Sequence, residues 1–500
     1  MQHWKVRRRR RVRNEGDAGP FAALRPQRAR GRDSRYHRAD FAAIAIAATV
    51  PPAQPSPATG SATPHRIVIV GGGAAGLPLA TKLGDTFGRR GRATVTLVDR
   101  YPTHLWKPLL HEVAAGRMDA DLHDVDYFLM AHWHRFRFRV GAVTGLDRAR
   151  RELRLGAVHD DEGVEILPAG AVPYDTLVFC VGSVSNDFGV PGIATRAISL
   201  DTAAAAVRFH SRLVAACLRA EGRAARGESA VVNIVIIGGG ATGVELAAEI
   251  RNCTGAFASY GLDSLDPRRD IQLTLVEAAP RILPPLPEKI AEAATALLAE
   301  LGISVRTHER VTAVDADGVH TADGAVLPAD LVVWAAGIQA PPVLATLDGL
   351  EVNRSNQLVV DRMLRTTRDP DIFALGDCAA CPWPESGREG ALLPPRAQVA
   401  HQQASLLVKS IKARLAGRPL PRFRFRDYGS LVSLGELSAV GNLMGRLIGG
   451  SLLVQGLIAR WMYASLYKMH QIAIHGYLRV ALDTVSRIVR HRLEPRVKLH

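Results

Sequence analysis

Residues 65–76 read HRIVIVGGGAAG, and residues 232–243 read VNIVIIGGGATG. Each is a short β-branched run feeding a Gly-x-Gly-x-x-Gly turn and then an alanine-rich helical stretch, the opening of a βαβ nucleotide-binding unit. One such turn is a weak signal. Two, each followed by an apolar strand that ends in an acid, are a strong one: ATVTLVD closes on Asp99 and IQLTLVE on Glu277. In this pattern Gly71 and Gly238 allow the tight bend, Gly73 and Gly240 let the backbone approach a pyrophosphate, and Gly76 and Gly243 let the helix pack on its strand. The phosphates sit at the helix N-termini, and Asp99 and Glu277 accept hydrogen bonds from ribose hydroxyls. A carboxylate at the ribose 2′ position repels a 2′-phosphate, so Glu277 predicts NADH over NADPH, with Arg281 close enough in sequence to soften the preference.

A second set of matching segments lies outward of these units. PYDTLVFCVGS (173–183) and PADLVVWAAGI (328–338) are apolar strands ending in small residues, and PDIFALGDCA (370–379) is another, ending in Gly376-Asp377. The order predicts an α/β chain of two doubly wound, Rossmann-like dinucleotide-binding domains, the second inserted in the first. Asp377 reads as an acceptor for a flavin's ribityl or phosphate region, or as a turn or N-cap aspartate. In PPRAQVAHQQA (394–404) the prolines suit a helix start, and Gln398 and Gln402 fall on one face. On the residues alone that face reads better as a solvated polar face than as a quinone or flavin contact. Cys378 and Cys381 form a Cys-x-x-Cys, which reads as small residues at a helix start in preference to a redox dithiol. No second ligand pair accompanies them for zinc, and residues 77–110 hold no cysteine.

The formal charge is +15, but it is uneven. Residues 1–40 hold thirteen Lys/Arg against four Asp/Glu and residues 456–500 hold eight against two, so the ends carry the whole excess. A neutral body does not present a nucleic-acid groove, and no nucleic-acid partner is expected. The five cysteines fit a reducing compartment. No run of eighteen or more uncharged apolar residues occurs, so no spanning helix is expected. FAAIAIAATV (41–50) lies too far from the Arg run at 7–11 for an export signal. Residues 1–62 read as a basic disordered extension, either a start assigned too far upstream, the preferred reading, or an arm on anionic lipid. The segment 456–482 sets Trp461, Tyr463, Tyr467 and Tyr477 among apolar residues with Arg460, Lys468 and Arg479. That mixture suits a lipid interface, the alternative being a helix packed on the body or in a dimer seam.

With these residues in place the chain resembles the type II NADH dehydrogenases, particularly their proteobacterial branch. HLWKPLLHEVAAG (104–116), GGGATGVELAAEI (238–250), VEAAPRILP (276–284), WAAGI (334–338), LGDCAACP (375–382), PPRAQVAHQQA and LYKMHQIAIHGY (466–477) carry the likeness in order and spacing from about residue 65 onward. The resemblance implies an FAD domain over 63–190 and 331–440, an NADH domain over 191–330, and a membrane-associated helical region over 441–500. It implies bound FAD, NADH as donor, a quinone as acceptor, no proton pumping, a homodimer, and a peripheral place on the cytoplasmic face of the inner membrane. It also assigns Gln398 and Gln402, with Ala397 at the helix start, to the quinone side of the flavin, and Glu245 to the junction of nicotinamide and flavin. Two features depart from the pattern: the basic first sixty residues, and Pro78 within the first helix, where its missing N–H is expected to disturb the early turns.

Overall fold

The run HRIVIV forms strand β1 (His65–Val70), whose last four residues are buried because helices cover both faces of the parallel sheet. The structure is a computed structural model that describes residues 63–254, 264–433, 439–445, 450–455, 465, 467–472, 474 and 476–490. Helix α1 (Gly76–Leu83) and strand β2 (Ala93–Asp99) complete the first unit. A short helix α2 (Leu110–Ala114), helix α3 (Tyr127–His134), strand β3 (Arg137–Val140) and strand β4 (Thr176–Phe179) follow. The chain then leaves along β5 (Val184–Ser185).

A second sheet is built from β6 (Ala197–Ser199), helix α4 (Ala203–Ala224), β7 (Val232–Ile237), helix α5 (Ala241–Thr254), β8 (Ile271–Val276), β9 (Ile303–Arg306) and β10 (Leu331–Trp334). The chain returns along β11 (Ile338–Gln339), which pairs antiparallel with β5, so outgoing and returning strands form one two-stranded link. Strand β12 (Ile372–Ala374) closes the first sheet, and helix α6 (Ala397–Leu415) packs on α1. The sheet orders are β12-β4-β1-β2-β3 and β6-β10-β7-β8-β9, parallel throughout. This is the duplicated, inserted architecture that the two glycine turns predict.

Three sequence expectations change. The boundary at 330 falls one strand early, because β10 pairs with β6 and β7 and belongs to the second domain. PYDTLVF and PADLVVW are each the fourth strand of their sheet counted from the glycine-turn strand, and each pairs directly with that strand. The boundary at 441 cuts a strand of an antiparallel sheet (Gly429–Ser433, Ala439–Gly445, Gly450–Gln455), so the described C-terminal region is sheet as well as helix, the latter being α7 (Tyr477–Arg490). Pro78 disturbs nothing: α1 begins at Gly76, and in a first turn the N–H groups have no intrahelical acceptor to lose. The extension 1–62, Arg460, Trp461 and Tyr463 lie outside the described residues.

Candidate active site

The two glycine turns close in the same way. Gly71 N–H donates to the Val98 carbonyl and Gly238 N–H to the Val276 carbonyl, both at 2.8 Å, tying each turn to the second strand of its unit. Gly71 and Gly238 have φ of +94° and +110°, and a Cβ would stand 2.5 Å from the Cys180 carbonyl oxygen in one and 2.6 Å from the Ala335 carbonyl carbon in the other. A Cβ on Gly76 or Gly243 would strike the carbonyl oxygen of Gly71 or Gly238 at 1.8 or 2.0 Å. The protein itself demands these four glycines. Gly73 and Gly240 differ, since a Cβ there would meet nothing within 4 Å. Nothing within the protein requires them to be bare, and the backbone there is open to close approach.

The paired acids are fastened to these turns. Asp99 accepts the Gly72 N–H at 2.7 Å and the Tyr101 N–H at 3.0 Å. Glu277 accepts the Gly239 and Ala279 N–H groups, both at 2.7 Å. Each oxygen keeps a lone pair for a ribose hydroxyl. Burial pushes the Asp99 carboxyl up, with the backbone N–H groups opposing it. Arg281 turns to its own loop, donating to the Leu283 and Pro284 carbonyls at 3.3 and 2.9 Å.

Gly376 and Asp377 follow β12, at the same C-terminal end of the parallel sheet as the first turn. The Ser183 hydroxyl donates to Asp377 Oδ2 at 2.9 Å, and burial raises the Asp377 carboxyl. Gly376 N–H donates to Oε1 of the buried Gln403 at 2.7 Å. Sequence reasoning passed over Gln403 for its neighbours, although an amide in the apolar stripe Val399, Gln403, Leu407 was the available signal. Ala397 opens α6. Gln398 and Gln402 do share a face, but both amides engage the segment 426–428. Gln398 donates to Asp427 Oδ1 and accepts from Tyr428 N–H, both at 3.2 Å. Gln402 donates to the Arg426 carbonyl at 2.8 Å and accepts the Arg426 N–H at 3.1 Å. Both amides are thus partly committed to that segment. Glu245 lies on α5, is 7% exposed, and stands 3.6 Å from Nδ1 of His111.

The family model for pyridine nucleotide-disulphide oxidoreductases matches residues 65–404. The type II NADH:quinone oxidoreductase of Haemophilus influenzae is 44% identical over 446 residues, covering 87% of this chain and 99% of its own length. The type II NADH:quinone oxidoreductase Ndh of Mycobacterium tuberculosis is 31% identical, covering 76% of this chain and 80% of its own.

The chain belongs to the type II NADH:quinone oxidoreductases.

Among solved structures, that of NDH2 from Plasmodium falciparum in complex with NADH has a TM-score of 0.72 at 17% identity, covering 87% of this chain and 100% of its own. The sulfide:quinone oxidoreductase of Aquifex aeolicus follows the same fold, with a TM-score of 0.62 at 18% identity over 86% of this chain and 96% of its own. Against the word disulphide in the family model's description, the five cysteines are buried and none forms a disulfide. Burial pushes the Cys378 and Cys381 thiols up to about 12, so neither is a thiolate at neutral pH. The Cys-x-x-Cys is therefore apolar filling: Cys378 begins no helix but ends a single 3₁₀ turn, Gly376–Cys378. No group of three or more His, Cys, Asp or Glu among the described residues is arranged to hold a metal.

Proposed function

We propose that this chain oxidises NADH and reduces a quinone through FAD held in the first domain. The observation that carries the reading is the pair of turns in which only Gly73 and Gly240 are bare for no reason internal to the protein. When bound, FAD supplies the two-electron chemistry between nicotinamide and quinone. The chain's own residues bind and orient: Gly71, Gly73, Gly76, Asp99, Asp377 and the N-terminus of α6 at Ala397 cradle FAD, and Gly238, Gly240, Gly243 and Glu277 hold NADH. Glu245 tunes or relays a proton where nicotinamide meets flavin. Gln402 spends one N–H and one lone pair on Arg426, and its second N–H is the donor we assign to a quinone carbonyl, with Gln398 beside it. Sulfide chemistry by a cysteine thiolate would need an accessible, acidic thiol, which the buried cysteines do not supply. Steady turnover with a short-chain quinone tests the reading: NADH is expected to support it, NADPH poorly and sulfide not at all.

We also propose that the protein sits on the cytoplasmic face of the membrane through α7. No helix among the described residues is long and apolar enough to cross one. Helix α7 turns Val480 inward, while Tyr477 is 80%, Leu478 75% and Leu482 64% exposed. Arg479 lies 4.3 Å above the ring of Trp133 on α3, which with Leu129 extends the apolar surface. An outward apolar stripe beside cationic residues suits anionic lipid. Tyr467, read from sequence as interfacial, instead stacks on buried Trp106 with ring centroids 5.4 Å apart. A Leu478→Ser, Leu482→Ser variant is therefore a cleaner probe than deletion of 456–500. It is expected to leave anionic vesicles while keeping NADH-to-ferricyanide activity; retained vesicle binding would move the anchor elsewhere. Sedimentation of the detergent-solubilised enzyme tests the homodimer.

A further inference from the structure

The segment His104–Arg117 carries a familiar motif but has no assigned task. By chain position it belongs to the first domain, yet Leu110, Val113, Ala114 and Ala115 are buried in the core of the second. Helix α2 thus plugs the second domain, packing on α4 and α5. The approach is close enough that a Cβ on Gly116 would stand 2.1 Å from the ring of His210 on α4.

Two side chains of this plug meet α5 one helical turn apart. Arg117 Nη1 is 3.3 Å from Glu249 Oε2, a partly buried ion pair, and His111 Nδ1 is 3.6 Å from Glu245 Oε2. The two carboxylates share a helical face but receive different side chains from the plug. Glu249 is matched to a permanent cation. Glu245 faces an imidazole that burial holds down to about 4 and therefore neutral, helped by Arg117 and opposed by the hydrogen bond that the ring gives the Pro108 carbonyl, so its Nδ1–H lies between that carbonyl and Glu245. What the plug brings to Glu245 is thus a neutral dipole and not a cation, and such a dipole steadies the anion while leaving the protonated form within reach. His111 Nε2 is buried without a hydrogen-bond partner, a cost that a leucine in the same plug would avoid. A contact of 3.6 Å is longer than a made hydrogen bond, and such contacts tighten when the catalytic complex forms.

We infer that His111 is a positioning residue for Glu245, holding its carboxylate and setting its proton affinity from across the domain boundary. The inference rests on the reading of Glu245 as the group at the nicotinamide–flavin junction. Among the described residues, the elements packed on the pair carry Arg117 in the plug, Glu249 along α5, the buried His210 on α4 and, on β9, Arg306, which is paired with Glu309 at 2.5 Å. The strand Gly429–Ser433, also against α5, brings no titratable side chain.

The test uses FAD-loaded protein with His111→Leu, His111→Asn and Glu245→Gln, each first checked for melting temperature and flavin content. Two pH profiles are recorded, the rate of flavin reduction by NADH and the flavin reduction potential in NADH-free protein. Loss of a donor to a carboxylate raises its pKa, so His111→Leu should move the inflection up by about one pH unit in both profiles. His111→Asn, which keeps an N–H near Nδ1, should restore it, and Glu245→Gln should remove it. An inflection unmoved in His111→Leu but absent in Glu245→Gln overturns the inference and leaves His111 as packing. An inflection that survives Glu245→Gln removes the reading of Glu245 itself, and with it the inference.

Discussion

The two glycine turns are nearly superimposable in their hydrogen bonds and unlike in what surrounds them. Each first glycine donates to the second strand at 2.8 Å, and each middle glycine donates to the terminal acid at 2.7 Å. The first turn, however, is walled by Tyr127, whose ring a Cβ on Gly72 would meet at 2.3 Å. That tyrosine is backed by Phe138 at 5.0 Å and by His104 at 6.4 Å between ring centroids. At the second turn the neighbours of Gly239 are an isoleucine methyl of Ile282 and the side chain of Glu277 itself. The same backbone device thus stands once inside an aromatic wall and once beside a small aliphatic one. This is the difference expected between a cofactor that stays and a substrate that comes and goes.

The largest effects should separate the two turns. Gly71→Val combines a positive φ, worth roughly 1–3 kcal/mol of strain, with a backbone collision, and is expected to yield protein without bound flavin. Gly238→Val carries the same strain in the other domain and should retain flavin while losing its reduction by NADH. Flavin absorbance after gel filtration and anaerobic NADH titration read the two outcomes. Loss of flavin from both variants would break the comparison.

Acid should act on the first turn's side. His470 links His104, at 3.1 Å between Nε2 atoms, to His401, at 3.3 Å, and stacks on Trp106 at 5.3 Å. Burial holds His104 and His401 down to about 4, below the ordinary value of about 6.5. The unfolded chain therefore binds more protons than the folded one between these values, and the stability from keeping them neutral is complete above about 6.5 and lost as pH falls toward 4. The melting temperature should fall across that window, and His104→Phe should flatten the fall. An unchanged slope would mean that the chain of imidazoles does not govern acid stability.

Smaller effects should come from single polar contacts. Glu277→Ser relieves repulsion of a 2′-phosphate and should narrow the NADH-over-NADPH preference by about tenfold, read as the ratio of kcat/KM values. Gln402→Ala removes a neutral hydrogen bond worth roughly 0.5–1.5 kcal/mol, so quinone reduction should slow by up to about tenfold with flavin reduction by NADH nearly intact. Its bonds to Arg426 give the competing outcome: loss of flavin or a lowered melting temperature with both half-reactions slowed alike would make Gln402 a brace for segment 426–428.

What the chain discloses in one dimension is what repeats in one dimension. Turn, strand and acid recur with fixed spacing, so the two sheets, the insertion and the glycine roles were legible before any coordinates. Contacts between segments distant in sequence were not. Gln403 beneath Gly376, Tyr127 over Gly72 and His111 beside Glu245 join residues whose local patterns say only that they are buried. The partners of the glutamine pair were hidden for the same reason, because helical spacing gives the face but not the segment 426–428 that meets it. The domain boundary at 330 slipped because the strand Leu331–Trp334 has no turn motif to mark its sheet.

The central claim, that electrons pass from NADH through FAD held here to a quinone, is tested most directly by following visible flavin absorbance in anaerobic holoprotein. Addition of NADH is predicted to bleach the flavin, and a short-chain quinone added afterwards to restore it, with NADPH and sulfide bleaching slowly or not at all. Bleaching by sulfide in preference to NADH, or a reduced flavin that the quinone leaves bleached, would contradict the account.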